Sequence, residues 1–177
     1  DYRVLLIGET IIDEYHYVTP MGMAAKESII ATRYQSRELF AGGVIAAANH
    51  AAGFCKEIEV ITCLGDNQAH EEVVREHLLP NVNLNVFRQE DGPTICKRRY
   101  VDNSGLSKLF EVCYMDDKPI SQELSQNICE YLAAHAGDFD LVIVCDFGHG
   151  LMTRPIIEEV VRCARFLAVN AQSNSSN

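Results

Sequence analysis

Four short stretches of the chain, residues 4–7, 58–63, 141–145 and 166–169, form apolar runs, unbroken in all but the second, where Glu59 and Thr62 interrupt. Strands buried on both faces read this way, so the pattern predicts a mostly parallel sheet covered by helices on each side. Helical spacing separates the runs. Ala69, Val73, Val74 and Leu78 fall on one face, and Pro80 stops the segment. Leu124, Ile128 and Leu132 form a second stripe, with Ser121 as N-cap and Gly137 as the stop. Ile156, Ile157, Val160, Val161 and Ala164 form a third, capped by Thr153 with Pro155 in its tolerant first turn. Gly65-Asp66-Asn67 ends the second run, and Asp66 reads as the N-cap of the helix after it.

Two stretches break the alternation, at about residues 15–40 and 84–117. The first contains a strand-like run at 29–34. The second contains runs at 94–101 and 106–114, separated by the turn sequence Asp102-Asn103-Ser104-Gly105. They predict a smaller β-layer inserted into the α/β fold. No internal repeat is present, and residues 170–177 form a polar tail.

With 177 residues, 47% of them hydrophobic, the chain can form one domain with a substantial core. No apolar run approaches the length of a membrane span. A net charge of −10 argues against general nucleic-acid binding, and the one dense basic cluster is Lys97-Arg98-Arg99. The seven cysteines include no C-x-x-C pair, and an odd count without disulfide-scaffold spacing fits a reducing cytoplasm. His70 and His77 lack the i, i+4 spacing of a zinc-binding helix, so no metal site is expected there.

The candidate chemistry lies beyond the strand ends. Asp13 follows the first apolar run, at the edge where ligands gather in open α/β sheets. Taken alone it reads better as a solvated loop carboxylate, and the glycine pair that follows shifts the balance toward a ligand. Gly42-Gly43 opens an alanine-rich helix. Glycine inside a helix costs roughly 1 kcal/mol, so the pair belongs at its mouth. There it either lets backbone N–H groups approach a polyol or simply makes a tight turn. Lys97 and Arg99 share one face of a strand, with Arg98 on the other. They can meet a substrate phosphate, or they can defend an exposed sheet edge. The loop from Asp146 to Gly150 can line a site or serve as a glycine-rich turn.

These positions, in this order, resemble the N-terminal part of the ribokinase-like (PfkB-type) carbohydrate kinases. The matching segments are residues 4–13, Gly42-Gly43 with its helix, Leu64-Gly65-Asp66, residues 93–99 and residues 142–151. Within that family the chain is most similar to the heptose 7-phosphate kinase domain of ADP-heptose synthases. The resemblance implies a three-layer α/β/α fold with a small β-sheet lid that often mediates homodimers. It implies transfer of phosphate from ATP, with Mg²⁺, to a hydroxyl of a sugar or sugar phosphate. Asp13, Gly42, Gly43 and Asn49 would then hold the sugar, Lys97 and Arg99 would approach from the lid, and Asp146 would lie on the substrate side.

The chain departs from the family in several places. The Asn expected soon after the diglycine is absent, and the first is Asn49. The lid strand that usually carries Arg and Asp reads Leu109-Phe110-Glu111-Val112-Cys113. His149 stands where a Lys is usual, and Asn170-Ala171-Gln172 replaces Asp-Pro-Lys. No Gly-x-Gly-Asp occurs, although that element supplies the family's catalytic base. The expectation is a piece of a longer cytoplasmic kinase, inactive alone, carrying the sugar-side site without the adenine pocket. The alternative is a non-catalytic sugar-phosphate-binding or dimerisation module from a diverged kinase. A dinucleotide-binding oxidoreductase is disfavoured, because Gly8-Glu9-Thr10 replaces the G-x-G-x-x-G that should follow the first strand.

Overall fold

The computed structural model describes residues 2–24, 29–116 and 118–172. Strands β1 (Arg3–Gly8), β4 (Glu57–Asn67), β5 (Val82–Pro93), β8 (Leu141–Asp146) and β9 (Leu167–Ala171) form one sheet. Its spatial order is β5-β4-β1-β8-β9, with every pairing parallel. Successive residues of β1 point to opposite faces. Val4 and Leu6 pack with Ile58 and Val60 beneath α1 (Val44–Ala52) and α2 (Glu71–Glu76). Leu5 and Ile7 pack with Val142 and Val144 beneath α3 (Gln122–His135) and α4 (Arg154–Cys163). The result is the expected three-layer α/β/α arrangement. It explains why β1 is apolar without alternation.

Strands β2 (Thr10–Met23), β3 (Ile30–Gly43), β6 (Cys96–Asp102) and β7 (Lys108–Tyr114) form a second sheet in the order β3-β2-β6-β7. β2 runs antiparallel to β3 and parallel to β6, and β7 returns antiparallel to β6. The turn between β6 and β7 is the expected one. Asp102 accepts hydrogen bonds from the amide and the hydroxyl of Ser104, at 2.9 and 2.8 Å. These hold its carboxyl below the ordinary aspartate range.

Several sequence-based expectations shift. The second layer starts at Thr10 rather than near residue 15. Residues 82–93 do not join it, because they form β5 on β4 at the edge of the main sheet. That strand alternates Leu84 and Val86 with Asn83 and Asn85, so it does not read as a buried parallel run. Its pairing extends to Asn67–Pro93 and keeps Asp66 within β4. Asp66 is therefore not a helix cap. Its carboxylate accepts from the Asp91 amide at 3.2 Å, and α2 begins instead after His70, whose φ is 51°. Ser121 does cap α3, its hydroxyl accepting from the Leu124 amide at 3.1 Å. Thr153 stands at the N-cap of α4, but its hydroxyl is paired with that of Ser125 at 2.7 Å. Residue 117, at the expected end of the second insertion, and residues 173–177 of the polar tail lie outside the described residues.

Candidate functional site

The chain leaves the main sheet after Gly8 and enters the second sheet at Thr10, so Glu9 sits at the junction. Its carbonyl accepts from the Val44 amide at 2.9 Å, at the first turn of α1. This tie brings the end of β3 against the start of β2, and Gly43 is required by it. A methyl group on Gly43, whose φ is 62°, would collide with the Glu9 carbonyl. A methyl group on Gly42 would collide with Asp13 Oδ2. The carboxylate of Asp13 therefore lies directly against the diglycine turn. No side chain caps the N-terminus of α1.

Cross-strand register completes the site. Asp13 stands opposite Phe40 of β3 and Lys97 of β6. Arg99 follows two residues along on the same face. It donates to Asp13 Oδ1 through Nη1 and forms an ion pair with Glu111, Nε lying 2.6 Å from Oε2. Its guanidinium carbon lies 5.4 Å from the centroid of the Tyr15 ring. Burial works against the Arg99 charge. The hydrogen bond Arg99 donates to Asp13 and the charges of Asp13 and Glu111 outweigh it and raise Arg99 above the ordinary arginine value. Lys97 forms no ion pair among the described residues. Tyr15 and Phe40 meet edge to face at 5.9 Å, so aromatic surface flanks the carboxylate.

Arg98 points to the opposite face, as the alternation predicts. It does not defend an edge, because β6 is interior to its sheet. It donates to Glu14 at 2.7 Å and to the Tyr114 hydroxyl at 2.6 Å. Glu14 is buried and is also bonded to His16 at 2.7 Å. Burial pushes its carboxyl upward, but the His16 and Arg98 bonds prevail and hold it below the ordinary glutamate range.

Of the residues read from the sequence, the structure brings together Asp13, Gly42, Gly43, Lys97 and Arg99. Asn49 is placed differently. Its oxygen accepts from the Leu79 amide at 3.0 Å and its amide donates to the His77 carbonyl at 2.6 Å. It fastens the loop after α2 instead of presenting its carboxamide to a sugar beside Asp13. Asp146 closes its own loop by accepting from the Gly148 amide at 2.9 Å.

Sequence reasoning missed Glu9, a residue only 4% exposed. It accepts from the amides of Phe147, His149 and Leu151 at 3.0, 3.1 and 3.4 Å, and so holds the loop after β8. The available signal was a charged residue set inside the largely apolar run from Val4 to Ile12. Burial, with the nearby Glu9 charge, pushes the Cys63 thiol up to about 12. No cluster of three His, Cys, Asp or Glu side chains suited to a metal ion occurs among the described residues.

No family model matches the chain. Its fold is that of the ribokinase-like carbohydrate kinases. Phosphofructokinase-2 of Escherichia coli, solved in complex with fructose-6-phosphate, aligns with a TM-score of 0.69 at 10% identity, over 99% of this chain and 56% of that one. The ribokinase of Arabidopsis thaliana, solved with ribose and ATP, aligns with a TM-score of 0.60 at 15% identity, over 97% and 54%. In sequence the chain is similar to bifunctional protein HldE. The protein from Citrifermentans bemidjiense is 23% identical over 168 residues, which cover 94% of this chain and 34% of the relative. That from Rhodopseudomonas palustris strain BisB5 is 25% identical over 171 residues, covering 93% and 34%. The chain thus spans about a third of the length of the HldE relatives it matches.

Proposed function

We propose that this chain carries the acceptor-sugar side of an ATP-dependent carbohydrate kinase resembling the heptose 7-phosphate kinases. The observation that carries the reading is the contact of Asp13 with the Gly42-Gly43 turn, at the mouth of α1 and beneath the cations of β6. A carboxylate accepts several hydrogen bonds, so Asp13 would hold neighbouring sugar hydroxyls. The backbone of the turn would approach the same polyol, Lys97 would donate to it, and Tyr15 with Phe40 would cover its apolar face. The Asp146 loop, held by Glu9, would border the substrate.

ATP and Mg²⁺ enter only as the donor and metal that such a reaction requires. The described residues hold neither a cluster of three metal-ligating side chains nor a Gly-x-Gly-Asp element, so they do not fit either group. A homodimer through the second sheet is part of the reading. Tyr100 and Phe110 stack on it at 4.5 Å, and Phe110 and Val112 are exposed there. A cytoplasmic location fits the reading, and no helix among the described residues is long and apolar enough to cross a membrane.

Calorimetric titration with a panel of sugars tests the site. Asp13→Ala should weaken binding by about 10- to 100-fold, the equivalent of one or two hydrogen bonds to a charged group. Unchanged affinity for every sugar that binds would refute it. A second reading, a non-catalytic sugar-binding module, is favoured by the engagement of Arg99 with both Asp13 and Glu111. ATP-dependent turnover of a bound sugar by the native protein separates the two.

A further inference from the structure

The two edges of the main sheet are built differently. β5 carries Arg88, Glu90 and Asp91 and ends at Pro93, and charged residues and proline are the usual guards of an open strand edge. β9 reads Leu167-Ala168-Val169-Asn170-Ala171, with neither a charge nor a proline. Its backbone is open as well. The Phe166 carbonyl accepts from the Val142 amide, and the Gln172 amide donates to the Asp146 carbonyl, each at 2.9 Å. Alternate residues of a parallel ladder turn to alternate sides, so the N–H and C=O groups of Leu167, Val169 and Ala171 face away from β8. Among the described residues no strand lies beyond them.

Apolar side chains gather along the same edge. Ile156 and Val160 of α4 are buried on the sheet, while the adjacent row, Ile157 and Val161, is 45% and 63% exposed. Phe166 and Val169 are exposed too. A cleft of about 200 Å³ between α4 and β9 is walled by Ile157, Val161, Leu167 and Val169, and Asp146 also lines it. The exposed charges of α4 are already matched, Arg154 with Glu158 and Arg162 with Glu159. Ala168 and Asn170 turn to the opposite face, where α1 lies over β1, β4 and β5. An all-parallel sheet keeps its strands covered on both faces, yet no residue of β9 is fully buried.

We propose that β9 is an interior strand of the working protein, its outer edge paired in parallel with a further strand that is joined through a helix covering Ile157 and Val161. The β8-α4-β9 unit sets the hand, because a right-handed crossover continuing in the same direction puts its helix beside α4. The occupant is a continuation of the same fold. Phosphofructokinase-2 of Escherichia coli and the ribokinase of Arabidopsis thaliana are matched over only 56% and 54% of their chains, so each carries nearly as much chain again outside the match. A second copy fits less well. Two-fold pairing of β9 edges runs antiparallel, sets α4 beside α4 on one face, leaves the other face of β9 bare, and joins two chains of net charge −10. With the further unit in place, Asp146 at the carboxyl end of β8 lies well inside the sheet, where ligands of α/β folds gather. The inference depends on the β9 edge and not on the acceptor-site reading.

Hydrogen exchange on the native protein, resolved to single residues by mass spectrometry, tests it. The amides of Leu167, Val169 and Ala171 should be protected at least about 100-fold over an unpaired edge, and tenfold dilution should not change this. Val161→Ala separates the cases by sign. Alanine is the better helix former, so on a free surface the variant raises the urea midpoint, whereas beneath a covering helix the lost methyl groups lower it by about 0.5 M. Free exchange at the three amides, or a midpoint that rises or stays put, overturns the inference. Protection that fades on dilution assigns the edge to a second copy and overturns it as well. Failure of every sugar to bind removes the acceptor site and leaves this edge standing, and a free edge leaves the acceptor site standing.

Discussion

Glu9 is the most exacting test of how this fold holds its loops. Its buried carboxylate is the acceptor for three backbone amides of the segment 147–151. Truncation to alanine removes all three bonds and leaves the donors facing a hole. A hydrogen bond to a charged acceptor contributes about 1.5–3 kcal/mol, but the three share one carboxylate and do not add. The Leu151 bond is long at 3.4 Å. A cavity of about 30 Å³ beside Glu9, His149 and Leu151 can admit water and relieve part of the loss. Together these set the expected destabilisation of Glu9→Ala at about 3–4 kcal/mol, a large share of the ~5–15 kcal/mol that stabilises a typical domain. Glu9→Gln keeps one acceptor oxygen but turns an amide donor toward the remaining N–H groups, so its loss should fall roughly midway. Urea denaturation gives the free energies. Hydrogen exchange should show accelerated opening at Phe147, His149 and Leu151 before global unfolding. A Glu9→Ala protein within about 0.5 kcal/mol of wild type, with protection of those amides intact, would refute the clamp.

Two further outcomes follow from the electrostatics. Glu14 is held below its ordinary value of 4.5, so its stabilising contribution is complete above that pH and is lost as pH falls through the lower folded-state value. Arg98→Gln removes one cause of the lowering, so the acid-unfolding midpoint should move to higher pH; an unmoved midpoint refutes the role of Arg98. Burial raises Cys63 to about 12, and Cys96 and Cys145 to about 11. At pH 8 roughly one in a thousand or fewer of these thiols is ionised, so iodoacetamide should leave them unmodified in the native protein and label them in urea. Rapid native labelling of any of the three, read by mass spectrometry, contradicts that burial.

The parallel sheet and its helices were legible because burial on two faces writes an unbroken apolar run, and helices write a 3.6-residue period. β5 was not legible as part of that sheet. An edge strand need not be apolar throughout, and Asn83 and Asn85 disguised it. Asp66 failed as a cap because strand pairing with β5 carried the chain past it, a tertiary contact that overrides a local preference. Asn49 matched the expected residue type, but its carboxamide was claimed by a loop some 30 positions away.

By itself the sequence determined the layer architecture, the diglycine at the mouth of a helix, a carboxylate just beyond the first strand, and two cations sharing a strand face. These are properties of neighbouring residues and of local periodicity. Only the tertiary structure decided that Asp13 lies on Gly42, that Arg99 is held between Asp13 and Glu111, and that Glu9 reaches a loop 140 positions away. Such contacts depend on strand register and crossing across the whole chain. A one-residue slip would turn each of those strand side chains to the opposite face, so no local pattern can specify the pairing.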